Sequence, residues 1–220
     1  MSKKAETLNI GKLIEILSNL DKNSKKRNFK QSYEIIINLK DFDVKKEGGK
    51  FNYIIKLPNL IDEKVKICVI GERDIASSAQ EAKADTILKR SDIEKIQGNK
   101  RELKKIAQRH NFFLVQADLM PLVGKILGPY LGTRGKFPEV IKPGVDLKTL
   151  INNLRQSVRI RIKNVPVISC KIGKEGMDYK KIAENALEVI KNLENILAEK
   201  GGRIKDIYIK KTMSEPVKVI

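Results

Sequence analysis

Hydrophobic patterning changes twice along this chain, and that change limits the folds it can form. In the middle, short apolar runs at 65–71, 86–88 and 112–115 alternate with stretches of helical periodicity. Strands that alternate with helices are typical of a parallel sheet covered by helices. The middle of the chain is therefore predicted to be α/β.

The two ends follow a different pattern. Apolar residues recur at helical spacing over 7–21, and β-branched runs at 33–39 and 51–55 are predicted to form a hairpin through Gly48-Gly49. Near the other end, the pattern predicts strands at 157–163, 166–172 and 204–211 and a long helix capped by Asp178. These antiparallel α+β patterns predict one domain built from residues 1–63 and 157–220, with a second domain, 64–156, inserted.

Net charge indicates the kind of partner. The 220 residues include 45 Lys and Arg against 27 Asp and Glu, a net charge of +18 spread along the whole chain. A folded surface with this excess favours a polyanionic partner such as a nucleic acid. The alternative is a Lys- and Glu-rich surface suited to high temperature, which explains many charges but not the excess of one sign.

Cysteine usage and hydropathy bear on the compartment. Cys68 and Cys170 lie in apolar strand-like runs, which predicts buried thiols in a reducing compartment. His110 cannot complete a zinc site with them, so no metal and no cofactor is expected. The chain lacks a signal-peptide pattern and any apolar run long enough to cross a membrane, so a cytoplasmic protein is expected.

A segment rich in glycine and proline spans 124–138 and reads GKILGPYLGTRGKFP. Its composition predicts a shaped loop that is neither helix nor strand. Its exposed amides could grip phosphates, or the segment could link the two domains, and the residues alone leave both open. The cations concerned are Lys125, Arg134 and Lys136.

Catalytic chemistry has little support. His110 lies in a basic helical stretch, and Asp118 is expected to cap the helix that follows it rather than act as a base. Gly71 follows a strand as in nucleotide-binding turns, but no GxGxxG follows, and Tyr130 stands where a phosphate-binding P-loop needs glycine. The sequence therefore favours a protein without catalytic residues, and a nucleotide-binding enzyme is kept only as the alternative.

Two short basic segments could meet RNA. Phe29 stands inside the run Lys25–Lys30, directly before a predicted strand, and Lys210–Ser214 leaves the last strand. For the second segment, a solvated strand end is the simpler interpretation.

Four segments together resemble one family, that of the first protein of the large ribosomal subunit, in its archaeal form. They are RNFKQSYEIIINLKDFD (27–43), FFLVQADLMPLVGKILGPYLGTRGKFP (112–138), IAENALEVI (182–190) and YIKKTMSEPVKV (208–219). The resemblance implies a split α+β domain that binds ribosomal RNA and an inserted Rossmann-like, three-layer α/β domain. It also implies a role in the mobile stalk, release of deacylated tRNA from the exit site, and repression of translation through the protein's own mRNA.

The resemblance also implies where RNA binds. The positions that match the family's RNA face are Phe29, Ser32, Glu34, Lys174, Thr212 and Met213, and charge adds Arg27, Lys30 and Lys211. Lys125, Arg134 and Lys136 become a secondary RNA or interdomain element. The chain departs from the family's pattern at three places, Ser214 for glycine, Thr133 for proline and Asp206 for a small polar residue. Asp206 is expected to point away from RNA or to pair with a lysine.

Overall fold

The computed structural model describes residues 8–47, 51–61, 65–142 and 144–220. The chain divides into two compact units. The terminal unit contains the described residues up to Ile61 together with Gln156–Ile220. The inserted unit contains the described residues from 65 to 155.

Regular structure covers most of the described residues. The α-helices are α1 (Ile10–Asn23), α2 (Val44–Glu47), α3 (Arg73–Glu81), α4 (Arg90–Ile96), α5 (Lys100–Arg109), α6 (Met120–Ile126), α7 (Gly128–Gly132), α8 (Leu147–Arg155) and α9 (Tyr179–Lys200). The strands are β1 (Ser32–Lys40), β2 (Asn52–Lys56), β3 (Ile67–Ile70), β4 (Thr86–Leu88), β5 (Phe112–Gln116), β6 (Glu139–Ile141), β7 (Ser157–Arg161), β8 (Val167–Lys174), β9 (Arg203–Lys211) and β10 (Val217–Lys218).

The main sheet of the terminal unit is antiparallel, with strand order β10-β9-β1-β8. Alternation along β1 places Tyr33, Ile35 and Ile37 in the core and their neighbours on the other face. The apolar sides of α1 and α9 belong to the same core. The core of the terminal unit therefore lies beneath one face of this sheet.

The predicted hairpin between 33–39 and 51–55 is wrong. Both edges of β1 are taken, by β8 and by β9, so β1 has no edge for β2. Instead β2 pairs with β7 in a separate two-stranded sheet, where Asn52 lies opposite Arg161. The Gly48-Gly49 turn lies outside the described residues. Local sequence cannot reveal this, because the true partners lie over a hundred positions away.

The long helix α9 begins as predicted, with the Asp178 carboxylate accepting a hydrogen bond from the backbone of Lys180. Gly201 follows its end with a φ of 83°, the left-handed conformation that favours glycine. Gly173 on β8 lets the helix pack closely, because a Cβ atom at that position would lie 2.7 Å from the Ile182 side chain.

The inserted unit contains a parallel sheet with strand order β4-β3-β5-β6. Cys68 and Ile70 pack with the apolar residues of α5, α6 and α7. Ile67 and Val69 point the other way and are equally buried, and α3 contacts both β3 and α8. Helices therefore cover both faces, which confirms the predicted three-layer α/β architecture.

The glycine- and proline-rich segment is not the loop that its composition predicts. Most of it is helical, in α6 and α7, and Pro121 and Pro129 stand in the first turns of these helices, where a missing N–H costs no hydrogen bond. Within 124–138, Gly135 alone has a positive φ, 65°. Glycine content was misleading here because short helices tolerate glycine when neighbouring elements support them.

Candidate nucleic-acid interface

Three separate segments meet at one end of the main sheet. β1 runs antiparallel to both neighbours, so its first residues lie beside the last residues of β8 and β9. Ser32 is opposite Lys174, and Tyr33 is opposite Lys211. The sheet topology therefore brings together positions from 27–34, 174 and 211–213 that sequence separates widely.

Two large apolar side chains are exposed at this end. Phe29 is 51% exposed and Met213 is 58% exposed. Arg27 and Lys30, beside Phe29, are exposed as well. Exposed aromatic and thioether groups with cations beside them suit contact with nucleotide bases and phosphates.

Thr212 is bound to the first residue of β1. The Ser32 backbone N–H donates to Thr212 Oγ1 at 3.0 Å, and the Thr212 N–H donates to the Ser32 carbonyl at 3.1 Å. The threonine hydroxyl thus extends the strand pairing by one step. It fixes the direction in which the next residue, Met213, leaves the sheet.

Glu34 lies on the face of the sheet opposite the core. Its cross-strand neighbours are Lys171 on β8 and Lys210 on β9, and all three side chains are half-buried. Lys174, also half-buried, lies further along β8. An anion flanked by cations offers an acceptor for RNA hydroxyl or amino groups within a positive field.

Lys211 has a different role from the phosphate contact expected on charge grounds. Its side chain is 6% exposed, and its ammonium group donates to Asp21 Oδ1 at 2.5 Å and to Ser24 Oγ at 2.9 Å, and pairs with Glu175 Oε1 at 2.7 Å. These three acceptors use all three of its N–H donors. Lys211 therefore connects α1, β9 and the end of β8 beneath the surface.

Asp21 is the centre of this network. It accepts hydrogen bonds from the hydroxyls of Tyr33 and Tyr179 as well as from Lys211. Burial alone would raise the pKa of Asp21, but the hydrogen bonds from Lys211 and the two tyrosines outweigh it and hold that pKa below its usual value. Burial and the bond to Asp21 raise the pKa of Tyr33, so the phenol stays a donor.

Gln31 and Glu175 are the residues that sequence reasoning missed. Gln31 is 1% exposed and exchanges hydrogen bonds with both Glu175 and the Met213 backbone. A usable signal existed, because alternation places residue 31 on the same inward face as Tyr33 and Ile35. Lys211 likewise continues the inward series of Ile207 and Ile209. Polar groups at inward positions indicate a buried network.

Each of the three residues that depart from the family's pattern has a hydrogen-bond or ion-pair partner in the structure. Ser214 Oγ accepts from the Lys211 N–H at 2.8 Å, and its backbone has no positive φ of the kind that needs glycine. Asp206 pairs with Lys218 at 2.7 Å, one of the two arrangements expected for it. The Thr133 hydroxyl lies within hydrogen-bond distance of the Pro129 and Tyr130 carbonyls, which close the end of α7.

The three cations of the glycine- and proline-rich segment differ in their surroundings. Lys125 is exposed on α6, and Arg134 donates to the Tyr130 carbonyl at 3.0 Å. Lys136 Nζ donates to the carbonyls of Ala107 and His110 at 2.9 and 2.6 Å, at the end of α5. An ammonium group there satisfies carbonyls left without helical partners, so Lys136 has a structural task within the inserted unit.

The turn after β3 offers few groups that could bind a nucleotide. The Glu72 N–H, which would face a phosphate, already donates to the Gln116 side chain at 2.9 Å. A cleft of about 520 Å³ nearby is lined by four carboxylates, those of Asp74, Glu81, Asp118 and Asp146, against two lysines, Lys142 and Lys148, so the balance of charge disfavours phosphate. Asp118 accepts from the Gln116 side chain rather than capping a helix.

The remaining ionisable groups of interest are buried. His110 ends α5 and contacts the Ile106 carbonyl and the Thr86 hydroxyl, and burial lowers its pKa. Cys68 and Cys170 are buried, as predicted, and burial raises the pKa of each thiol to about 12. In the described part of the chain, no three potential metal ligands lie together, and no helix is both long and apolar enough to cross a membrane.

Comparison with known proteins agrees with the resemblance read from the sequence. Residues 20–215 match the model of the Ribosomal protein L1p/L10e family. Large ribosomal subunit protein uL1 from Thermofilum pendens is 46% identical over 89% of this chain and 86% of its own length. The proteins of that name from Methanothermobacter thermautotrophicus and Archaeoglobus fulgidus are 38% and 39% identical, over 94% and 95% of this chain and 98% and 97% of their own lengths. The chain belongs to the Ribosomal protein L1p/L10e family.

Proposed function

We propose that this chain is a constituent of the large subunit of the cytoplasmic ribosome and binds large-subunit rRNA directly. The relatives carry the name of a ribosomal protein rather than of an enzyme. The observation that carries the proposal of RNA contact is the exposure of Phe29 and Met213 at the end of the sheet where three basic segments converge.

The RNA surface in this proposal consists of the exposed or half-buried positions at that end. Folded RNA is recognised mainly through shape, phosphates, 2′-hydroxyls and unstacked bases. Phe29 and Met213 supply flat or flexible apolar contact, and Glu34 supplies an acceptor for hydroxyl or amino groups. The phosphate contacts come from Arg27, Lys30 and Lys174, and they make the affinity depend on salt.

The wider roles are also proposals. The resemblance supports a part in organising the mobile stalk and in the release of deacylated tRNA from the exit site. It also supports repression of translation through the chain's own mRNA. The chain passes between its two units twice, near residues 62 and 155, and Lys125 and Arg134 of the inserted unit are the candidates for secondary RNA contact.

A binding titration tests the rRNA contact. The probe is an rRNA fragment from the base of the stalk, with a random-sequence duplex and a DNA of the same sequence as competitors. We expect Phe29→Ala and Met213→Ala each to weaken binding by about 1–3 kcal/mol, as truncation of a central contact does. Val165→Ala is the matched control, since Val165 is 58% exposed and precedes β8 at the opposite end of the same sheet.

Equal affinity for the stalk fragment and the random duplex would contradict the proposal. Equal affinity for RNA and DNA would instead indicate binding to phosphates alone, because phosphate contacts do not detect the 2′-hydroxyl. For the mRNA role, the leader of the chain's own message should compete with the rRNA fragment for binding to the protein. Met213→Ala should weaken the binding of that leader, so that it competes less well. For the tRNA role, a Lys125/Arg134 double Ala variant should slow tRNA release from assembled ribosomes.

A further inference from the structure

One buried amide joins the three segments that form the RNA surface. Gln31 Oε1 accepts from the Met213 N–H at 3.0 Å, and Gln31 Nε2 donates to Glu175 Oε1 at 3.3 Å. The Gln31 backbone N–H donates to Glu175 Oε2 at 2.9 Å, and its carbonyl accepts from the Glu175 N–H at 2.9 Å. Gln31 is therefore bonded on both sides, to the chain after β8 and to the chain after β9.

The bonds involve backbone groups of irregular segments. Met213 follows β9, and Phe29 lies in the stretch between α1 and β1, so neither belongs to a helix or strand. The orientation of an exposed side chain on such a segment depends on the bonds that hold the segment's backbone in place. Ordering a mobile segment at the moment of binding costs affinity, and a prearranged segment avoids that cost.

Glu175 is placed poorly for contact with RNA but well for holding these segments. It follows Lys174 at the end of the main sheet that carries the proposed RNA surface, where a free carboxylate would repel phosphate. Its two oxygens instead accept from Lys211, from the Gln31 backbone and from the Gln31 amide. The bond from Lys211 and those from Gln31 hold the pKa of Glu175 below its usual value, although burial opposes this.

We propose that Gln31 and Glu175 are positioning residues for RNA binding, which hold Met213 and the segment of Phe29 in the orientation that RNA meets. This inference rests on the proposed function, since it names the residues that prearrange the same RNA surface. In this proposal both residues act through these two segments rather than by contact with RNA. Lys211 supports Glu175 from below through its bonds to Asp21 and Ser24.

The test combines a measurement without RNA and one with it. Gln31→Met keeps the side-chain length but removes both the acceptor for Met213 and the donor to Glu175. Glu175→Gln keeps the shape but cannot accept from Lys211 and the Gln31 backbone together. Amide hydrogen exchange of free protein reports the Met213 N–H, and the Thr212 N–H, bonded to the Ser32 carbonyl, is the internal control.

We expect Met213 amide exchange to rise about tenfold in Gln31→Met while Thr212 exchange is unchanged, which is the scale of one lost hydrogen bond. Affinity for the stalk rRNA fragment should fall about tenfold in both variants. Because Gln31 acts in part through Met213, adding Gln31→Met to Met213→Ala should weaken binding less than the product of the two single effects.

Three outcomes would overturn the inference. Unchanged Met213 exchange would show that Gln31 does not hold this segment. Faster exchange with unchanged RNA affinity would show that the orientation does not matter for binding. Fully multiplicative effects in the double variant would show that Gln31 does not act through Met213. Failure of the proposed function is recognised separately, because Met213→Ala would then leave rRNA affinity unchanged whatever the exchange data show.

Discussion

Lys211 Nζ lies 2.5 Å from Asp21 Oδ1, which joins the last long strand of the chain to the last turns of its first helix. Both ends of the chain therefore contribute to one ion-pair network directly beneath the candidate RNA surface. The network satisfies every donor of a buried ammonium group, and this is the condition under which a buried charge can persist.

Replacing Asp21 with Asn should lower the stability of the terminal unit in a pH-dependent way. The pKa of Asp21 is lowered in the folded chain, so its contribution is present above its unfolded pKa of about 4 and is lost as the pH falls through the folded pKa. We expect a loss of about 1–3 kcal/mol at pH 7. Urea unfolding followed by circular dichroism measures it. A difference between variant and parent that stays constant down to pH 2 would contradict this account.

Neighbouring lysines on β9 offer a matched pair. Lys211→Met leaves Asp21 and Glu175 without their shared cation and should cost about 3–5 kcal/mol of unfolding free energy. Lys210→Met, on the half-buried outer face, should change stability by no more than about 0.5 kcal/mol. Equal melting temperatures for the two variants would show that the buried network does not stabilise the fold.

Lys136→Met should destabilise the inserted unit without affecting the candidate RNA surface. Its ammonium group bonds carbonyls at the end of α5, so we expect a loss of about 1–2 kcal/mol. Lys125→Met, at an exposed position on α6, is the control and should be neutral within about 0.5 kcal/mol. If Lys136→Met leaves stability intact but weakens rRNA binding, its main role is RNA contact instead.

Close packing of α9 on β8 depends on Gly173. Gly173→Ala places a methyl group against Ile182 and should destabilise the terminal unit by about 1–3 kcal/mol. Gly11→Ala on α1 is the control, because apart from its chain neighbours and the backbone of its own helix no heavy atom lies within 4 Å of the added methyl, and it should be neutral or stabilising by about 0.5–1 kcal/mol. Chemical denaturation of both variants measures the contrast, and a Gly173→Ala variant as stable as its parent would show that the helix can shift at no cost.

Much of the architecture could be predicted because it depends on local periodicity. Alternation identified β1 and β9, helical spacing identified α1 and α9, and alternating strands and helices identified the inserted three-layer unit. The short strands β6 and β10 were missed, because two or three residues carry too little pattern. The hairpin and the loop at 124–138 were wrong, because pairing partners and supporting contacts are distant in sequence.

By itself, the sequence determined the fold class, the family and the positive charge, and it identified Phe29, Thr212 and Met213 as candidate contacts. Only the tertiary structure decided which charges are exposed and which are buried. Lys210 and Lys211 are adjacent lysines, yet strand alternation turns one outward and buries the other beside Asp21. It also placed Gln31 between Glu175 and Met213. Composition counts charges equally, whereas solvation and hydrogen bonding differ with the side of the sheet on which each charge lies.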